Sequence, residues 1–417
     1  MSVLTAKNPE AGSPASSSLS GVARNYWERI RGGDIGALPA VLGIIVLCTV
    51  FTILRPVFFS TGNFANLLTQ GAAVTTIAMG LIFVLLLGEI DLSAGYASGV
   101  CASVLAILLT QHGWPWYGAV VAALVTGTVI GIVLGILVAK LGIPSFVVTL
   151  AAFLGFQGVA LILLKEGRNV SIEDNTILAI ANKNLAPWLG WLLLVFGVAG
   201  YAIIQVLKMR TRAVRGLNAD PLSLIGIRVA VLAILGGVSV YVLNLERSRN
   251  AIVVSLKGVP IVVPIIALLL LVWTFVLTRT AYGRHIYAVG GNKEAARRAG
   301  INVDRIRISA FVICSTMAAV GGIIAASRNN SVDPNTGGSN VLLYAVGAAV
   351  IGGTSLFGGR GRVLDAVLGG AVVAIIDNGM GLMGYSSGVK YVVTGFVLLL
   401  AASVDALSRR RAAATGL

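Results

Sequence analysis

Charge is scarce in this chain. Asp, Glu, Lys and Arg make up 11% of its 417 residues, against 57% hydrophobic residues and a mean hydropathy of +0.92. Soluble domains carry about a quarter of their residues as charged groups, so a water-soluble globular protein is excluded. The chain holds two histidines and three cysteines. His112 and His285 have no partner at metal-ligand spacing, and Cys48, Cys101 and Cys314 all lie inside apolar runs. Neither a zinc site nor a disulfide framework is expected, and the cysteines read as small packing residues. No G-x-x-x-x-G-K-[ST] phosphate loop, dinucleotide fingerprint or nucleophile–base constellation occurs. The chain is therefore expected to be neither an enzyme nor an ATPase of the phosphate-loop type, and to bind no cofactor. If its work is driven by ATP, the ATPase is a separate polypeptide.

In place of charge there is apolar length. Runs suited to crossing a bilayer as helices fall at 37–54, 66–88, 94–110, 117–139, 143–164, 187–207, 226–245, 259–278, 308–327, 341–357, 363–383 and 388–406. The second and tenth are each followed by a Gly-rich break. The fold class expected is an all-α membrane protein, a polytopic helical bundle of about 10–12 transmembrane helices with broken or re-entrant segments. Residues 1–36, rich in Ser, Ala and Gly, read as a disordered cytoplasmic tail without a cleavable leader; residues 37–411 read as one transmembrane domain.

The net charge of +15 raises the question of nucleic acid, but the distribution answers it. With both termini inside, 22 of the 31 Lys and Arg fall on the cytoplasmic side. They sit in the tail, at Lys140, in the 208–228 and 279–307 loops, at Arg360 and Arg362, and at Arg409–Arg411. Loop charge of this kind sets orientation. An N-in, C-in topology and no nucleic-acid partner are expected. An even number of spans with no soluble domain points to a transporter or channel.

The longest polar passage in the second half, 279–307, carries seven Lys/Arg against Glu294 and Asp304. It encodes a short helix at 293–299. Asn292 is a good N-cap, Glu294 lies in the first turn, Arg297 and Arg298 lie in the last, and Gly300 follows as the stop. A helix only about 10 Å long is marginal alone in water, so it rests against something. It reads either as a capped turn between spans or as a docking element.

Other features sit within the apolar runs. Gly127, Gly131 and Gly135 place three glycines on one helix face and suit close backbone packing. The breaks Gly88–Gly95 and Gly352–Gly359 share Gly first, a polar residue fourth, Leu fifth and Gly last. Paired breaks of this kind point to a transport pathway. Glu89, Asp91 and Asp377 are acids that stand in or beside apolar runs. A charge there costs at least ~2.5–3.5 kcal/mol, which marks it as functional by default. Glu89, Asp91 and Ser93, with Asp377 and Asn378, suit a hydroxyl-rich ligand passing along the pathway. Asp91 or Ser93 equally suits a cap for the helix starting at Ala94. A plain count of spans puts Glu89 near the cytoplasmic edge.

Glu294-Ala295-Ala296-x-x-x-Gly300 resembles the first half of the EAA signature, found in the cytoplasmic coupling loop of bacterial ABC importer permeases. The I-x-L-P half is absent, with Ala310 where the Ile falls. That departure resembles the monosaccharide branch, the ribose/galactose/xylose type. Similar to that branch are Asn66-Leu-Leu, Ile90-Asp-Leu-Ser93, Pro144–Leu150, Tyr287–Asn292, Gly300–Val303 and Ile351–Leu356 with Gly358-Gly359. Glu89 before Ile90, the extra segment at about 208–258 and Asp377–Met380 resemble its xylose type.

The resemblance implies a permease homodimer, two ATPase subunits that use ATP and Mg, and a periplasmic sugar-binding protein, all at the bacterial inner membrane. It assigns coupling to the ATPase to Asn292, Glu294, Ala295, Ala296, Arg297 and Gly300. A secondary carrier fits the same breaks and buried acids, but has no use for a capped helix of this spacing.

Overall fold

The computed structural model describes residues 38–165, 167–216, 221–248, 250 and 255–414. The expected tail at 1–36 lies outside them. Apolar helices dominate because a backbone in hydrocarbon has to satisfy its own hydrogen bonds. In order, they are α1 (Leu38–Leu54), α2 (Thr61–Gln70), α3 (Ala72–Leu86), α4 (Ala94–Thr110), α5 (Trp116–Ala139) and α6 (Ser145–Leu163). Next come α7 (Asn175–Asn182), α8 (Pro187–Val214), α9 (Leu222–Asn244), α10 (Val262–Arg279), α11 (Ala281–Gly291) and α12 (Lys293–Arg298). The last are α13 (Val303–Asn329), α14 (Ser339–Gly352), α15 (Val363–Leu382) and α16 (Ser387–Ala414). Two short strands, β1 (Val170–Ser171) and β2 (Ser331–Val332), pair antiparallel and tie the loop after α6 to the end of α13.

Among the described residues, eight helical segments are long and apolar enough to span a membrane, and four shorter apolar helices lie at Leu38–Leu54, Ala94–Thr110, Asn340–Gly352 and Ser387–Leu400. Each of the twelve expected runs holds one, which makes this an all-α polytopic membrane protein. The ends differ where side chains cap. The second run starts early, at Thr61, because the Ser60 hydroxyl accepts from the Asn63 amide, and it bends at Gly71 between α2 and α3. The tenth ends at Gly352, where Gly353 turns the chain at φ +116°. Two helices stand outside the expected runs: α7, capped by Asp174, and α11, capped by Thr280.

The described residues form two compact units, one within 38–187 and 243–407 and a smaller one within 188–242 and 408–414. In the larger unit α3, α13 and α15 form the interior: 72% of the Thr61–Leu86 window and 61% of the Val303–Asn329 window are buried, against 17% for α6. In lipid such packing rests on close van der Waals contact rather than on expelled water. The α5 glycines show how close it comes. A Cβ added at Gly127, Gly131 or Gly135 would lie 2.7 Å from the Ser315 carbonyl oxygen, 2.5 Å from the Val312 Cα or 2.8 Å from the Ile308 Cα. The three-glycine face is thus the seam along which α5 meets α13.

Candidate functional site

Two clusters of polar groups stand at opposite ends of α3. The first gathers around the basic 279–307 loop. Asn292 caps α12 by accepting from the Ala295 amide at 2.9 Å, and Gly300 closes it at φ +82°. Asn302 then caps α13 through the Arg305 amide at 3.0 Å. Within α12 only Ala296 is buried, packed into the bundle core; Glu294, Ala295, Arg297 and Arg298 project outwards. Glu294 and Arg297 pair along the exposed face at 2.9 Å. The six-residue helix is held by its caps, the Ala296 foothold and the Lys293 ion pair with Glu89, while Glu294, Ala295, Arg297 and Arg298 stay exposed.

Beside it the chain after α3 breaks. Glu89 is buried, and its Oε1 accepts from Lys293 Nζ and Arg307 Nη2, each at 2.8 Å. Burial alone raises the Glu89 carboxyl. Hydrogen bonds from Lys293 and Ser145 and the charges of Arg307 and Lys293 outweigh it, holding the group below the usual carboxylate range. Ile90 is clamped from α6: its amide donates to Ser145 Oγ at 3.2 Å, and its carbonyl accepts from Thr149 Oγ1 at 3.2 Å. Ser145 and Thr149 are one turn apart on α6, so both reach Ile90 from the same helix face.

The second Gly-rich break meets the first. The Gly359 amide donates to the Leu86 carbonyl at 2.8 Å, and Tyr287 Oη of α11 donates to the Gly361 carbonyl at 2.7 Å. Gly290 of α11 completes the junction, since a Cβ there would stand 1.8 Å from the Leu86 carbonyl oxygen. Two breaks and the loop are one assembly.

Deeper in the same break, Asp91 Oδ1 accepts from the Ser93 amide at 2.9 Å and from Ser93 Oγ at 2.6 Å. This turn precedes α4, so Asp91 holds the entry to the helix while Ser93, the residue at the cap position, serves as donor. Asp91 Oδ2 has no hydrogen-bond partner among the described residues.

The second cluster lies where α2, α13, α15 and α16 meet. Asn63 and Asn378 exchange amide hydrogen bonds at 2.9 Å each, and Asn378 also donates to Gln70 Oε1 at 3.1 Å. Asp377 accepts from Gln70 Nε2 at 2.5 Å and pairs with Lys390 Nζ at 3.2 Å. Arg328 donates to Thr69 Oγ1 at 2.6 Å and to Asn66 Oδ1 at 2.8 Å. Asn378 is buried and mutually satisfied, which suits a brace; Asp377 and Lys390 stay partly exposed.

The five residues read as a passage therefore do not converge. Glu89, Asp91 and Ser93 follow α3, Asp377 and Asn378 stand at its start, and fifteen residues at 1.5 Å each put about 22 Å between them. Glu89 instead joins the loop residues assigned to coupling. Gln70, Arg328 and Lys390 carry no acid to mark them in the sequence; basic and amide groups closing apolar runs are their available signal.

Residues 63–402 match the family described as Branched-chain amino acid transport system / permease component. The xylose transport system permease protein XylH of Escherichia coli is 37% identical over 375 residues, covering 90% of this chain and 92% of its own. XylH of Haemophilus influenzae is 32% identical, covering 89% of this chain and 96% of its own. The ribose import permease protein RbsC of Escherichia coli is 30% identical, covering 88% and 92%. No solved structure matches at a significant level.

Proposed function

This chain belongs to the Branched-chain amino acid transport system / permease component family, and on that premise we propose that it is the permease subunit of an ATP-binding cassette importer for a monosaccharide, xylose in the first place. Two copies form the membrane pore. Two ATPase subunits, which bind the ATP and Mg that this chain does not, engage it from the cytoplasm, and a sugar-binding protein delivers substrate from the periplasm. The chain lies in the bacterial inner membrane with both termini inside.

The observation that carries the reading is α12: a capped helix too short to stand alone, seated by Ala296, with Glu294, Ala295 and Arg297 facing out. An exposed helix of that length gains from a partner groove, and its Glu-Ala-Ala-x-x-x-Gly spacing fits an ATPase subunit. Through Asn292, Gly300 and the glycine junction, movement of the helix reaches both breaks. A closed set of caps and hydrogen bonds passes a displacement on instead of absorbing it. At the far end, Asp377, Lys390, Gln70 and Arg328 supply the acceptors and charge-assisted donors that a pentose meets on entering. Asp91 and Ser93 lie further along that route. Alternating access follows from moving one cluster against the other.

The test is ATP hydrolysis by the reconstituted complex in liposomes, with candidate binding proteins and a panel of pentoses and hexoses. Xylose is expected to stimulate most. Greater stimulation by ribose would move the assignment to that sugar, and no response to any sugar would overturn the importer reading.

A further inference from the structure

We infer that Glu89 and Lys293 form a releasable charge latch that reports the position of the loop helix to the broken helix, with Arg307 as its fixed holder. The inference rests on the importer reading and deepens it. Both cations reach the same carboxylate oxygen at 2.8 Å, yet they differ in setting. The Arg307 side chain is 17% exposed and the Lys293 side chain 44%. Arg307 belongs to the long, buried α13, which also meets the glycine seam of α5. Lys293 is the first residue of the six-residue α12.

Among the described residues, Lys293 makes the one side-chain hydrogen bond from α12 to a group outside the 279–307 loop. A half-exposed lysine on a small, surface-seated helix leaves a carboxylate at little cost, since water takes its place. A guanidinium held near the core does not. When α12 moves, the contact to Lys293 is therefore the one that opens, and Glu89 stays charge-balanced on Arg307. The carboxylate is never stranded, so the bond opens and closes without destabilising the fold.

Glu89 also fixes what the latch moves. It stands next to Ile90, which Ser145 and Thr149 hold against α6, and two residues before Asp91, which holds the entry to α4. Closing the latch draws the break towards the loop. Opening it leaves the break held from α6, from α13 and by the glycine junction. Lys293 and Glu89 are positioning residues and contact no substrate in this scheme.

The experiment measures ATP hydrolysed per sugar imported by the reconstituted full complex. Lys293→Met is expected to raise that ratio about fivefold, equivalent to about 1 kcal/mol, with ATPase-subunit association unchanged. Lys293→Arg is expected to restore it. Because the lysine arm is half exposed, the wild-type ratio is also expected to rise with ionic strength as the contact is screened. Glu89→Ala strands Arg307 and is a poor probe of coupling, so the pair Glu89→Gln with Arg307→Met replaces it. That pair is expected to fold and to show the raised ratio. A wild-type ratio in Lys293→Met overturns the latch while leaving the importer reading intact. A wild-type complex in which sugar and hydrolysis are unlinked overturns the importer reading and the latch with it.

Discussion

Replacing Gly290 with Ala separates two opposed forces whose sizes are known. Gly290 lies in helix α11, where alanine is intrinsically better than glycine by about 0.5–1 kcal/mol. Against that, the new Cβ would stand 1.8 Å from the Leu86 carbonyl oxygen and 3.0 Å from the Gly359 nitrogen, both backbone atoms. Inserting a methyl into a packed site costs about 1–3 kcal/mol. The Gly359 to Leu86 hydrogen bond it displaces is worth about 1 kcal/mol more. The clash wins, with a net loss of about 1–3 kcal/mol after the helix gain is subtracted. The adjacent Gly291 is the control, since nothing lies within 4 Å of a Cβ there, and Gly291→Ala is expected to be neutral or slightly stabilising. Thermal unfolding of the two purified variants in detergent reads the difference. If Gly290→Ala unfolds at or above the wild-type temperature, the two breaks and the loop do not form the tight junction described.

Four further outcomes are expected. Gly131→Ala places a Cβ 2.5 Å from the Val312 Cα and should cost about 1–3 kcal/mol in thermal unfolding, whereas Gly155→Ala, with open space around it, should be neutral. Glu294→Ala, or Gly300→Ala at φ +82°, should abolish coupled sugar uptake while the protein still reaches the membrane, as scored by uptake against expression. Asp377→Asn loses the 3.2 Å pair with Lys390 and should slow sugar uptake with ATPase-subunit co-purification unchanged; normal uptake would make the cluster a brace only. The pH dependence follows from Glu89, whose folded carboxyl is held below its ordinary value of about 4.3. Its contribution is full above that value and is lost as the pH falls through the lowered one. Thermal stability should therefore hold through mildly acid pH in the wild type, with a smaller acid-dependent loss in Glu89→Gln.

Much of this was readable from residues alone, because the signals were local. Apolar runs located the twelve helical segments. Asn292, Glu294 and Gly300 marked a helix of barely two turns, since caps act within three or four residues of one another. Asp91 was read as either cap or passage, and its bonds to Ser93 show what it does locally. The partners of Glu89 were hidden because Lys293 and Arg307 lie 204 and 218 residues away. Nothing in spacing at that range says which helices are neighbours. Asn63 and Asn378, 315 residues apart, exchange bonds for the same unreadable reason. The acids drew attention as costly groups, while the bases and amides that offset that cost passed as ordinary ends of spans.

One helix gains a mechanical meaning from its borders. α3 is fifteen residues of almost wholly buried helix, with Gly71 at one end and Gly88, at φ +68°, at the other. Helical hydrogen bonding fixes its length, so neither end shifts along the axis without the other. At Gly71 the hydrogen bonding carries on into α2, the Gly71 amide donating to the Leu67 carbonyl at 3.1 Å and its carbonyl accepting from the Thr75 amide at 2.9 Å. A pull on the break beyond Leu86 therefore arrives at Gln70, whose side chain holds both Asp377 and Asn378. The bundle thus contains a buried rod about 22 Å long that joins the Glu89 break to the Gln70 cluster, so a displacement of one is expected at the other.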